Sequence, residues 1–241
     1  GMAILDEVMV AATAGEVSPM IVGDLYCGLL EACHELFDIR RAREWTAAIS
    51  GWCEAQAGLV PYRGPCMVHR VELLRLHGAW NDALTEGQLA CQWLSGPISP
   101  EGPGDAYYEV AEVHRLKGEF APAEEAYRQA SRAGRQPEPG LALLWLSQGR
   151  GEAARAALRR ALDEAKDNRG RCAELLGPYV EVLLASGDVA GARDAAAELG
   201  RLATALGALL LEAAADSANG QLLAAEGSHG AALAPLRRAW T

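Results

Sequence analysis

The sequence predicts an all-α protein, a right-handed superhelix of about six helical hairpins stacked in series, and three observations predict it. One frame recurs. A turn, usually glycine, is followed five residues on by alanines at helical spacing, as in Gly118-Glu119-Phe120 leading to Ala123, Ala126, Tyr127 and Ala130. The turns lie at positions 37, 78, 118, 149, 187 and 227, in steps of 41, 40, 31, 38 and 40 residues. Periods of roughly 20–50 residues mark arrays of stacked supersecondary units. Clusters of proline and glycine fall between the hairpins, where they interrupt no helix. Each hairpin buries its apolar face only against its neighbours, so the array is expected to fold as one cooperative unit.

Residues 1–17 are expected to hold a lone helix over 3–14, amphipathic and without a partner upstream, the remnant of an earlier repeat. Gly1 ahead of Met2 has the form of a tag-cleavage scar. The repeat array then runs over 18–241. Its first pair, 20–36 with 39–56, turns at Phe37-Asp38-Ile39 and keeps the frame without its glycine. The breaker Gly58 to Pro65 leads into 64–77 with 80–95, which turns at Gly78-Ala79-Trp80. Ser95 to Gly104, with prolines at 97, 100 and 103, precedes 104–117 with 120–133. Pro137, Pro139 and Gly140 open the pair 138–148 with 151–166. The pairs 171–186 with 189–203 and 207–226 with 229–240 turn at Gly187 and Gly227. Pro122 and Pro235 each fall within the first turns of a second helix, where proline is tolerated. The alanines belong where two backbones nearly touch. Trp80, Phe120, Tyr127 and Trp145 are expected to fill the wedges between hairpins as core residues. The last helix carries Leu233, Leu236 and Trp240 with no polar capping helix after it. Uncapped arrays need cover, so a partner, or a homodimer through these ends, is expected, with Leu236 and Trp240 as its handles.

Composition sets the class of partner. Half of the 241 residues are hydrophobic, and the formal charge is −10. A nucleic-acid surface carries clustered excess Lys and Arg, so none is expected through this chain. Arg159, Arg160, Arg169 and Arg171 form the one basic cluster, and Glu152, Asp163, Glu164 and Asp167 balance it. The most apolar run, Leu206 to Ala215, is too short to span a bilayer, and the N-terminus has no basic flank before an apolar core. No membrane contact and a cytoplasmic location are expected. In that setting the six cysteines (27, 33, 53, 66, 91 and 172) are expected as free thiols on helix faces.

With the frame in place, the hairpins resemble tetratricopeptide repeats: small residue, turn, aromatic, then alanines at fixed offsets. Several longer strings are similar to the helical-repeat region of large LuxR-type transcriptional regulators. These are Asp38-Ile39-Arg40-Arg41-Ala42-Arg43-Glu44-Trp45-Thr46-Ala47-Ala48, Val60-Pro61-Tyr62-Arg63-Gly64-Pro65-Cys66, Leu76-His77-Gly78-Ala79-Trp80, His114-Arg115-Leu116-Lys117-Gly118-Glu119-Phe120 and Pro139-Gly140-Leu141-Ala142-Leu143-Leu144. The likeness covers about residues 3–240. It implies a regulatory, non-catalytic interaction module that binds a protein, peptide or small ligand. Such regulators add a helix-turn-helix that binds DNA, which residues 1–241 do not contain. No Gly-x-x-x-x-Gly-Lys-[Ser/Thr] phosphate loop occurs either.

The candidate site follows from the turns. Six residues back from the first three lie Glu31, Glu72 and Glu112; three back lie His34, Arg75 and Arg115. The tetratricopeptide resemblance implies that these offsets face a concave groove. Residues three apart share a helix face, so Glu31/His34, Glu72/Arg75 and Glu112/Arg115 form a charged ladder, which Tyr108 and Asp105 extend. It reads as a groove that grips a ligand, or as solvated pairs within each helix worth a few tenths of a kcal/mol. Cys66-Met67-Val68-His69 puts a thiol and an imidazole on one face. Zinc needs three or four convergent ligands and a nucleophile needs an oxyanion site, so neither metal, cofactor nor catalysis is expected. The remaining reading is structural: a scaffold or dimerisation module with no groove ligand.

Overall fold

The computed structural model describes residues 2–55, 63–96 and 102–240, apart from the side chains at 2, 19, 20, 27, 35, 49–55 and 63–66. Among these residues the chain is helix and connecting turn, with thirteen helices and no strand. They are α1 (Met2–Thr13), α2 (Pro19–Glu35), α3 (Ile39–Ala55), α4 (Arg63–Leu76), α5 (Trp80–Leu94), α6 (Gly104–Leu116) and α7 (Phe120–Arg132). They continue as α8 (Gly140–Ser147), α9 (Gly151–Glu164), α10 (Arg169–Ala185), α11 (Val189–Leu206), α12 (Leu209–Ala225) and α13 (His229–Arg238). The expected all-α fold of six helical hairpins is the one adopted: α2/α3, α4/α5, α6/α7, α8/α9, α10/α11 and α12/α13.

The chain divides into two compact units, Gly1–Glu35 with Ile39–Pro137, and Leu36–Asp38 with Glu138–Thr241. In the first, α1 lies on α2 and is tied to α3, where Trp45 Nε1 donates to Asp6 Oδ1 at 3.2 Å and Arg41 Nε lies 3.4 Å from the same oxygen. First helices of successive hairpins also touch, α2 on α4 and α4 on α6. The second unit repeats the scheme with α8 on α10 and α10 on α12. Its core joins Val180, Leu183, Leu199, Leu211 and Leu222 in one cluster, and Leu158, Leu175 and Val182 in another. Contact of first helix with first helix, in addition to the hairpin partner, is what stacks the repeats in series.

The two helices of a hairpin are joined by one turn used five times. After α4, α6, α8, α10 and α12 a glycine takes the left-handed conformation, with φ of 77° at Gly78, 75° at Gly118, 76° at Gly149, 77° at Gly187 and 80° at Gly227. Two hydrogen bonds close each helix end, as where Gly118 N donates to Arg115 O and Glu119 N to His114 O, at 3.0 and 2.9 Å. This paired closure satisfies carbonyls that would otherwise lack partners. Phe37 fills the same place after α2 and takes φ 56° itself, a conformation glycine adopts at less cost. Asp188 adds a cap, accepting from Gly191 N at 2.9 Å while Arg155 Nη2 donates to it at 2.6 Å.

The first alanine of the frame is buried in five of the second helices and only partly buried, as Ala42, in α3. Ala83, Ala123, Ala154 and Ala192 are 0 % exposed and Ala232 is 2 % exposed. The expected wedge-filling aromatics divide. Tyr127 is fully buried and Trp145 is half-buried against the α8/α9 core, but Trp80 and Phe120 are each 37 % exposed. Both stand at the first residue of a second helix, beside the turn. Leu236 is not an uncovered handle either. It packs on Gly220 so closely that a Cβ there would lie 2.5 Å from its Cγ. Trp240, Leu233 and Leu209 do stand exposed. Gly87 makes a similar approach in α5, where a Cβ would fall 2.6 Å from Val110 Cγ2. Cys33 and Cys91 are buried free thiols, and burial pushes Cys91 up to about 12.

Candidate functional site: a charged groove on α2, α4 and α6

Side-by-side packing of α2, α4 and α6 brings their polar positions together on one surface of the first unit. A pocket of about 320 Å³ opens there, lined by Glu31 and His34 of α2, Val68, His69 and Glu72 of α4, and Asp105, Tyr108 and Glu109 of α6. Leu94, Gly102 and Arg135 complete the wall. Of the eight residues expected at the groove, Glu31, His34, Glu72, Asp105 and Tyr108 line this pocket. Arg75, Glu112 and Arg115 lie beside it, in the polar network that supports it.

The charges pair differently from the expected ladder. Only Glu112 and Arg115 bond within one helix, with Arg115 Nε and Nη2 donating to the two carboxylate oxygens at 3.2 and 2.7 Å. The other pairs cross between helices. His34 Nδ1 of α2 lies 3.7 Å from Glu72 Oε1 of α4, and Arg75 Nε of α4 donates to Glu109 Oε2 of α6 at 2.8 Å. The reason is spacing. First helices packed side by side put a basic residue of one repeat, His34 or Arg75, next to an acidic residue of the next, Glu72 or Glu109.

Behind the pocket the network is largely buried. The Tyr127 hydroxyl of α7 donates to Glu112 Oε1, and the Tyr108 and Tyr127 rings meet edge to face at 5.8 Å. Burial works against the Glu112 carboxylate, but the Arg115 fork and the Tyr127 hydroxyl prevail and hold it below the usual carboxylate range. Glu72 behaves likewise: burial opposes its charge, while His34, Arg75 and His69 outweigh burial and lower it. Glu109 goes the other way. Burial pushes it up to about 7, with Arg75 working against the shift and Glu72 and Glu112 adding to it. Burial also lowers His69, with Glu72 and Asp105 working against the shift.

At the mouth, α7 ends in another left-handed glycine, Gly134 (φ 90°), and Arg135 N donates to Ala130 O at 3.0 Å. That turn directs Arg135 back over α6. Its guanidinium carbon sits 4.4 Å above the Tyr108 ring, and its Nε lies 2.7 Å from Asp105 Oδ1. Gly104 makes room: a Cβ there would come within 3.0 Å of Arg135 Cβ.

Glu109, Arg135 and His69 were not among the residues expected at the groove. Two had a signal. Nine residues back from the turns at 78 and 118 stand His69 and Glu109, one helical turn before Glu72 and Glu112 on the same face. Arg135 had none, since a loop residue obeys no helical period. The Cys66 side chain of the thiol–imidazole pair lies outside the described residues. Among the described residues no group of three or more His, Cys, Asp or Glu is placed to hold a metal ion, and no helix is long and apolar enough to cross a membrane.

No family model and no curated protein matches the chain. Among solved structures it is similar to YrrB, described as a tetratricopeptide-repeat protein with an unusual peptide-binding site. The match has 18 % identity and a TM-score of 0.40, and covers 72 % of this chain and 83 % of that one.

Proposed function

We propose that the chain is a non-catalytic interaction module that binds a peptide or a segment of a partner protein in the groove on α2, α4 and α6. The carrying observation is the pocket itself: concave, about 320 Å³, with apolar Val68, Leu94 and Tyr108 set among Glu31, Glu72, Asp105 and Glu109. Apolar walls with a few placed polar groups are the usual composition of a binding site. The buried Arg75–Glu109 and Glu112–Arg115–Tyr127 contacts support that reading, because they hold the walls rigid before any ligand arrives. The finer reading places the module in the cytoplasm, in a LuxR-like transcriptional regulator, and is supported by the strings from Asp38 to Leu144 given above.

The test is selection of short random peptides on the immobilised protein, with every hit rechecked on the Glu31→Lys/Asp105→Lys double variant. Both positions are exposed, so the variant is expected to keep its fold. Groove-dependent hits should lose about tenfold or more in affinity, the effect of about 1.4 kcal/mol. Hits that bind both proteins equally would reject the groove. Absence of hits together with a doubled mass in sedimentation would favour the alternative, a self-associating scaffold that uses exposed Leu209, Leu233 and Trp240.

A further inference from the structure

We infer that the pocket is a seat for a guanidinium group, and that Arg135 occupies it as an internal stand-in for an arginine side chain of the bound peptide. The inference rests on the groove reading and names the ligand's chemistry. Arg135 makes the two contacts such a ligand would make, stacking 4.4 Å above Tyr108 and pairing with Asp105 at 2.7 Å. A planar, weakly hydrated cation is suited to that combination of aromatic face and carboxylate. Its third contact, Nη1 donating to Gln136 O at 2.9 Å, belongs to its own loop and needs no pocket.

The rest of the lining favours a cation over an anion. Glu31, Glu72 and Glu109 face the same space, and among the described lining residues Arg135 is the sole arginine or lysine. Arg75 offsets Glu109 through a bond of its own. With Arg135 swung out, Asp105 and Tyr108 are left for an incoming arginine and no lysine or arginine faces it across the pocket. An acidic side chain would meet those carboxylates instead. The volume, about 320 Å³, is at the small end of ligand pockets and suits one long side chain with adjacent backbone. Arg135 is well placed to leave. It lies on a loop beyond the left-handed Gly134, not within a helix.

The experiment is calorimetric titration with acetyl-Gly-Arg-Gly-amide and with the same tripeptide carrying citrulline, the neutral isostere of arginine, or glutamate. The arginine peptide should bind about tenfold more tightly than the citrulline one, since a charged partner roughly doubles hydrogen-bond strength. Arg135→Ala should tighten the arginine peptide about three- to tenfold by removing the competitor. Arg135→Gln keeps the side-chain stem and should do the same, and helical circular dichroism checks the fold of both. Asp105→Asn should weaken binding. Preference for the glutamate peptide, loss of arginine-peptide binding in both Arg135 variants, or no arginine-peptide binding to any form overturns the assignment. If such a result comes while library selection still yields groove-dependent peptides, the groove reading stands and only the guanidinium seat falls. If selection yields none, both fall.

Discussion

Glu109 is the residue whose chemistry is most altered by its place in the groove. Its folded value of about 7 lies above the ordinary 4.5, because the uncharged form suits a buried site between two other carboxylates. For an acid with a raised folded value, the stabilising contribution is complete below about pH 4.5 and is lost as pH rises towards 7. Between about pH 5 and 7.5, wild type should therefore lose roughly 2 kcal/mol more stability than Glu109→Gln, as measured by urea unfolding at each pH. Parallel profiles for the two proteins would show that Arg75 keeps Glu109 ionised throughout. At this scale the sequence was informative where residues obey the helical period. Glu31, His34, Glu72, Asp105 and Tyr108 reached the pocket because offsets from a turn fix the face of a helix. Pairing was not legible. Whether Arg75 turns to Glu72 or to Glu109 depends on the neighbouring helix, which no spacing within α4 encodes.

At the scale of the element, the second helices are shaped by what they lack. Ala154 of α9 is fully buried, and a larger side chain there would push α9 away from the helices it packs on. Ala154→Leu should cost about 1–3 kcal/mol in urea unfolding, whereas Arg160→Leu, on the exposed side of the same helix, should change stability by about 0.5 kcal/mol or less. The alanine frame made these positions readable in advance, since close approach is the one reason to repeat a small residue at that spacing. The aromatics were less readable. Trp80 and Phe120 occupy the same frame position and are both partly exposed, whereas Tyr127, about two turns beyond Phe120, is buried and bonded to Glu112. Aromatic identity alone does not distinguish a helix's first residue from its middle. The close approaches at Gly87 and Gly220 were hidden for a related reason: glycine inside a helix reads as a weak point until the partner side chains, Val110 and Leu236, are seen against it.

For the molecule as a whole, each unit has its own buried core, and residues 138–241 contain both clusters of the second. A fragment of those residues should keep helical circular dichroism and unfold in one cooperative transition; a chain that is unstructured alone would show that the unit depends on the preceding residues. Hairpin order and turn positions were legible throughout, because the main helix–helix contacts are between elements one or two places apart in sequence. The division into two units was not, since it depends on how densely particular hairpins pack rather than on any pattern within them. The recurrent left-handed turn has a kinetic meaning as well. Five nearly identical corners give the chain five equivalent places to start, and none waits for distant segments to meet. Contacts between near neighbours in sequence favour parallel routes, in which a blemish at one corner slows its own hairpin and leaves the others to form on time.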